Sequence, residues 1–173
     1  MSQTQAGLLL LLLVPLLWGL MWWGWRGRSR RQASVAAPAG APDRLGDAVV
    51  GPLEAVYVSS TRAGDWLDRV VVHGLGERAA ASVAVHPEGV LVARTGAPDV
   101  WVPAEALDDV RRDRGAAGKF VDAEGLVVLT WRLGDDLLDT YLRTRYEADR
   151  EPLAAAVRDL LDTRSDTKED TRG

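Results

Sequence analysis

The amino-acid sequence predicts a mainly β domain with one C-terminal helix, placed behind one N-terminal transmembrane helix. Short apolar runs alternate with turn residues through most of positions 49–144, which is typical of antiparallel strands. The pattern then changes to a helical period, and a long uncharged stretch lies near the N-terminus. About seven strands followed by one helix is the order of a small barrel that the helix closes at one end.

Residues 7–25 form an uncharged, leucine-rich stretch of 19 residues. As a helix this stretch extends about 28 Å, close to the roughly 30 Å hydrocarbon core of a bilayer. Lysine and arginine are absent before it and arginines follow it. The positive-inside rule therefore predicts a single-pass plasma-membrane protein with its N-terminus outside and its C-terminal domain in the cytoplasm. The residues expected at the membrane interface are Trp22, Trp23, Trp25, Arg26, Arg28, Arg30 and Arg31.

A cleaved signal peptide is the alternative interpretation of residues 7–25, because small residues follow at 33–41. A signal peptide carries its positive charge before the apolar run. Here the arginines come after that run. The order of charges therefore favours an anchor that is retained.

Composition divides the rest of the chain into three parts. Residues 26–48 combine the basic flank with an Ala-, Pro- and Gly-rich segment, which predicts a flexible linker. Residues 49–162 are predicted to fold, and residues 163–173 to form a disordered tail. Beyond position 31 the chain has 17 basic and 25 acidic residues, a net charge of −8, so nucleic acid is not an expected partner.

The strand predictions rest on apolar runs that are separated by turn residues. The sequence His86-Pro87-Glu88-Gly89 predicts a tight hairpin turn, with proline at the second position and glycine in a left-handed conformation. Residues 65–74 fit a helical turn or a strand equally well. The helix is predicted from the spacing of Leu153, Val157, Leu160 and Leu161, with Pro152 in its first turn. The predicted strands are 53–60, 79–85, 90–94, 100–102, 107–112, 126–133 and 138–144.

Several short phrases of the sequence resemble a family of small actinobacterial membrane proteins with one N-terminal span and a PH-like domain. They include Tyr57-Val58-Ser59-Ser60-Thr61, Ala63-Gly64-Asp65-Trp66-Leu67-Asp68-Arg69, His73-Gly74-Leu75-Gly76, Gly118-Lys119-Phe120-Val121, Gly125-Leu126-Val127-Val128 and Thr130-Trp131-Arg132-Leu133-Gly134. The resemblance implies a PH-like barrel at a membrane and does not imply a reaction. It also implies a gene context, since members are often encoded near pyrimidine-biosynthesis genes.

The charges of residues 61–78 depart from those of lipid-binding PH domains, which gather Lys and Arg between their first strands. Arginines 62, 69 and 78 are here matched by acidic residues at 65, 68 and 77. The positive charges of the arginines and the negative charges of the acidic residues therefore cancel. Tight capture of a multiply phosphorylated lipid is therefore not expected.

The sequence contains no complete enzymatic motif. Residues 70–79 have the outline of a dinucleotide fingerprint, but a strand and a hairpin turn follow where that motif requires a helix. His73 and His86 lack a metal-ligand spacing, and the chain has no cysteine and no G-x-S-x-G motif. We therefore predict no catalytic residue, no metal and no cofactor.

The best basic cluster of the domain comprises Arg111, Arg112, Arg114 and Lys119, which could contact an anion or a partner. A solvated turn between two strands is the alternative interpretation of these residues. The predicted function is a membrane-anchored, non-enzymatic docking or assembly protein with a protein partner. Two alternatives are binding of anionic lipid headgroups and a role as accessory subunit of a membrane transport complex.

Overall fold

The computed structural model of the 173-residue chain describes residues 13–19, 21–22, 32, 34–113 and 125–170, with the backbone alone at 166–170. The chain divides into two compact units, Met1–Ser34 and Val35–Gly173. In the first unit, residues 13–19 and 21–22 are helical. Most of the predicted span at residues 7–25 lies outside the described residues, and no described helix is long and apolar enough to cross a membrane.

The second unit is a mainly β domain with one C-terminal helix, as predicted. Its helix α1 extends over Arg150–Asp170 and so continues into residues predicted to form the tail. The strands are β1 (Val50–Arg62), β2 (Asp65–Arg69), β3 (Ala79–His86), β4 (Gly89–Arg94), β5 (Val100–Pro103), β6 (Leu107–Asp113), β7 (Leu126–Leu133) and β8 (Asp136–Thr144). Strand β2 was not among the predicted strands. It occupies the first half of residues 65–74, for which the sequence fitted a helical turn or a strand equally well.

The strands form an antiparallel sheet in the order β5-β4-β3-β1-β8-β7-β6, and β2 pairs with β1 beside this path. The prediction of a closed barrel is wrong in this respect, because the described β5 and β6 end the sheet without pairing with each other. Residues Ala104–Ala106 form a 3-10 turn between them. Helix α1 packs beside this opening, where the Arg164 guanidinium donates a hydrogen bond to the Leu107 carbonyl of β6. The helix thus covers a gap that further strand pairing would otherwise fill.

The core lies on the inner face of the sheet and beneath the apolar side of α1. Leu153 and Val157 of the helix are fully buried there, together with Trp131 of β7. Strand β7 is buried along almost its whole length on both faces, which agrees with the two-sided apolar run at 126–133. The helical period and the strand alternation of the sequence therefore identify the same core from two sides.

A chain of hydrogen bonds crosses this core. Trp131 Nε1 donates to Thr140 Oγ1 at 2.9 Å, and the Ser60 hydroxyl links Thr140 to Tyr57 with two contacts of 2.7 Å. The Tyr57 hydroxyl donates to the Leu75 carbonyl, also at 2.7 Å. Burial raises the pKa of Tyr57 to about 12, although the Ser60 hydrogen bond and the Arg94 charge act to lower it. The polar groups of this hydrogen-bonded chain are thus satisfied, and Tyr57 stays neutral at physiological pH.

Residues 35–46, which we call the strap, contact the domain at both ends, although composition predicts a flexible linker there. Val35 is 3 % exposed and belongs to the core. Its carbonyl oxygen contacts His73 Nε2 at 2.9 Å, and at the other end the Gly46 carbonyl contacts His86 Nδ1 at 2.7 Å. The Gly46 amide donates to the Glu88 carboxylate at 3.1 Å. Both histidines of the chain therefore hold this segment, and the compact unit begins before the predicted boundary at residue 49.

Shortening the buried side chain of the strap tests whether it belongs to the folded unit. We expect Val35→Ala to lower the free energy of unfolding by about 2 kcal/mol, because it leaves a cavity in the core. The measurement is urea unfolding of the full chain followed by far-UV circular dichroism. Val49→Ala is the matched control, since Val49 is 63 % exposed. The control should change stability by less than about 0.5 kcal/mol, and equal losses would show that the strap is not part of the core.

Candidate functional site: an arginine-lined groove

A groove of about 720 Å³ lies on the domain surface and is lined by residues of β8, β1, β3 and β4. Five charged residues line it: Arg78, Arg143, Arg145 and Glu54, which are exposed, and Arg94, which is buried. Small side chains make up most of the remaining lining: Ala55, Val56, Ala80, Ala81, Ser82, Ala93, Thr95 and Thr144. The groove is thus a shallow floor of short side chains with arginines at its edges.

Strand register explains why these distant residues meet. Val56 of β1 pairs with Arg143 of β8 on one side and with Ala80 of β3 on the other. Residues that pair directly across antiparallel strands share one face of the sheet. Tyr57, the neighbour of Val56, is fully buried, so the face that carries Val56 is the outer one.

A second row of the outer face lies next to the first. Glu54 pairs with Ser82, which in turn pairs with Ala93 of β4. The Arg145 amide donates a hydrogen bond to the Glu54 carbonyl at 2.8 Å, so Arg145 continues this row beyond the end of β8. The floor of the groove therefore crosses four adjacent strands.

The electrostatic balance of the groove is positive. Arg145 forms an ion pair with Glu54 at 3.2 Å, and its guanidinium lies 5.9 Å from the centre of the Tyr146 ring. No described side chain forms an ion pair or a side-chain hydrogen bond with Arg78 or Arg143. With the buried Arg94, four arginines and one carboxylate line the groove, in a chain whose overall formal charge is −4. The groove is a local site for negative charge on an acidic protein.

Arg94 stiffens the rim of the groove from beneath. It is 6 % exposed, and its guanidinium stacks 4.5 Å from the centre of the Tyr57 ring. Arg94 Nε donates to the Pro98 carbonyl at 2.6 Å, and Nη1 donates to the Gly74 carbonyl at 2.7 Å. Within the described residues Nη2 is buried without a hydrogen-bond partner. One side chain thereby ties β4 to the β4–β5 loop and to the loop that precedes β3.

The two described members of the basic cluster predicted from the sequence point in different directions. Arg111 and Arg112 are neighbours on β6, so their side chains leave opposite faces of the sheet. Arg111 Nη2 pairs with the buried Asp139 carboxylate at 2.7 Å, whereas Arg112 pairs with Glu151 of α1 at 3.1 Å. The two remaining members, Arg114 and Lys119, lie outside the described residues.

The predicted membrane-interface residues are for the most part beyond what the structure describes. Trp22 belongs to the helical residues of the first unit. The others lie outside the described residues: Trp23, Trp25, Arg26, Arg28, Arg30 and Arg31. Among the described residues there is no group of three His, Asp or Glu side chains that could hold a metal ion.

Sequence reasoning missed the groove because its charged residues are separated by long stretches of chain. One local signal was present. Arg143 and Arg145 alternate with the buried Leu142 and Thr144, so both point outward from the end of β8. The partners of these arginines depend on the pairing of β8 with β1 and of β1 with β3, which no local pattern specifies.

The described domain is thus an antiparallel sheet with one C-terminal helix and a positively charged surface groove. Residues 35–158 match the Bacterial PH domain-like family, and the chain belongs to this family. The match begins at Val35, where the strap begins. PH-like domains are typically non-catalytic modules that bind proteins or lipids. Among curated proteins, none matches this chain.

Proposed function

We propose that this protein is a non-enzymatic docking module that is held at the membrane and binds a protein partner through its arginine-lined groove. The observation that carries the proposal is the groove itself. Arg78 and Arg143, which form no ion pair with a described residue, border a floor of short side chains, and that floor leaves room for a chain to lie on the outer face of the sheet. The absence of a nucleophile or acid–base motif in the sequence agrees with a binding role.

In this proposal residues 7–25 form the membrane span and the domain faces the cytoplasm. The support comes from the sequence, in which an uncharged stretch of membrane length is followed by four arginines. A reporter fused after Gly173 tests the orientation. Activity of a reporter that works only in the cytoplasm supports it, and activity of one that works only outside the cell overturns it.

Docking is tested by photo-crosslinking from the floor of the groove in intact cells. A photoreactive amino acid replaces Ala80, whose side chain is exposed on the outer face of β3. The matched control carries the same group at Glu105, an exposed residue of the 3-10 turn that does not line the groove. A protein crosslinked from position 80 and not from position 105 supports the proposal. Equal products from both positions, or none from position 80, contradict it.

A further inference from the structure

We propose, on the basis of the docking function above, that the occupant of the groove is an extended protein segment with acidic side chains at alternate positions. The groove is an interaction surface whose charge selects for carboxylates. Guanidinium groups bind carboxylates through two parallel hydrogen bonds, so an arginine favours such a partner over a neutral one. The argument for alternate spacing comes from the geometry of β8.

Arg143 and Arg145 are separated by one residue at the end of β8 and leave the same face of the strand. Two such positions lie about 7 Å apart, because a strand rises about 3.4 Å per residue. In an extended partner segment, side chains at positions i and i+2 also share one face and have the same separation. An acidic pair of that spacing therefore meets both arginines at once, whereas adjacent acidic residues point to opposite sides.

The outer face has room for an extended segment that runs parallel to β8. Ala80 and Ser82 alternate on β3 and lie level with Arg143 and Arg145, in the two rows described above. Their short side chains leave a shallow path alongside the two arginines. Glu54 contacts Arg145 at 3.2 Å, and both side chains are exposed, so a partner carboxylate can reach the same guanidinium.

Several observations favour a protein segment over a membrane surface as the occupant. Beyond residue 31 the chain is acidic, which opposes general attraction to anionic lipid. Surfaces that bind bilayers usually combine cations with exposed apolar side chains that enter the interface. The exposed large apolar side chains of the described domain are Val49, Trp66, Leu67 and Tyr146, and none of them lines the groove.

The test uses the full chain in neutral detergent and two synthetic peptides of identical composition. In one peptide two aspartates are separated by a serine, and in the other they are adjacent. We expect the alternating peptide to bind about tenfold more tightly, the equivalent of one additional charge-assisted contact. Arg143→Ala should weaken its binding by about tenfold. Arg132→Ala, an exposed arginine of β7 that pairs with Asp108, is the matched control and should leave binding unchanged.

Three outcomes overturn the inference. They are equal binding of both peptides, equal effects of Arg143→Ala and Arg132→Ala, and Arg143-dependent binding to phosphatidylglycerol-containing vesicles with no peptide binding. The last result assigns the groove to lipid. A specific crosslink from position 80 together with equal binding of both peptides leaves docking in place and removes the spacing rule. Spacing-selective peptide binding with no crosslink from position 80 supports the spacing rule and contradicts docking in the cell.

Discussion

Replacing Arg111 by alanine is expected to lower the free energy of unfolding by about 3 kcal/mol, because it leaves a buried carboxylate without its cation. The side chain of Asp139 is 3 % exposed, and Arg111 contacts both of its oxygens, at 2.7 and 3.2 Å. The Thr130 hydroxyl donates a further hydrogen bond at 2.7 Å. The expected loss lies at the low end for buried pairs because the Arg111 side chain is 38 % exposed, so water reaches the pair in part.

The control for this measurement is Arg132→Ala, which removes an arginine from the neighbouring strand. The pair between Arg132 and Asp108 is exposed on both sides, with 3.7 Å between the charged atoms. Urea unfolding of the control should differ from the parent protein by less than about 0.5 kcal/mol. A double variant that also carries Asp139→Asn should recover most of the loss. Equal effects of Arg111→Ala and Arg132→Ala would contradict the assignment of a buried pair.

The same ion pair predicts how stability depends on pH. Burial alone would raise the pKa of Asp139, but the hydrogen bonds from Arg111 and Thr130 and the Arg111 charge outweigh burial and lower it. A lowered pKa contributes stability that is present above the unfolded value of about 3.9 and is lost as the pH falls through the folded value. Without Arg111, burial raises the pKa of Asp139, and acid then relieves the buried charge. The stability difference between parent and variant should therefore narrow below about pH 4.

Gly89→Ala is expected to cost about 4 kcal/mol, from backbone strain together with overpacking. Gly89 begins β4 with φ of +153°, a conformation that is essentially confined to glycine. A Cβ atom at this position would lie 2.3 Å from the Val102 carbonyl oxygen and 2.9 Å from the Trp101 ring. Because the closest atom belongs to the backbone of β5, the sheet itself must shift to accept the side chain.

Gly96→Ala separates the two causes, since Gly96 also has a positive φ, of +79°, but no atom lies within 4 Å of the added Cβ. We expect this control to lose about 1 kcal/mol from strain alone. Thermal or urea unfolding of both variants measures the difference. Similar losses in the two would contradict the close approach of β5 to Gly89.

Local patterns predicted much of this fold. The turn at 86–89, the two-sided apolar run of β7 and the helical spacing after Pro152 each have a local physical cause, and each element occurs where it was predicted. The glycine of that turn was predicted to be left-handed, whereas its φ of +153° is more extended, because β5 passes directly beside it. Pairing with a strand more than ten residues away decided that detail.

The other features of the fold and of the candidate site depend on contacts between distant segments of the chain. Composition predicted a flexible linker at the strap, yet burial of the single side chain of Val35 and two histidine contacts hold it to the domain. Arg111 and Arg112 look like one cluster in the sequence, but strand alternation sends them to Asp139 and Glu151. The groove required three strand pairings at once. The candidate site was therefore less predictable from the sequence than the fold.

The gap between β5 and β6 has a consequence for the motions of the domain. Strand β1 has hydrogen-bonded neighbours on both sides, whereas β5 pairs with β4 alone among the described strands. Opening at that edge breaks no second ladder, so local breathing there requires less free energy than opening of β1. In deuterium exchange, the backbone amides of Val100, Trp101 and Val102 should therefore lose protection well before those of Tyr57 and its neighbours. The domain would loosen from its free edge inward while the strands beneath the groove stay closed.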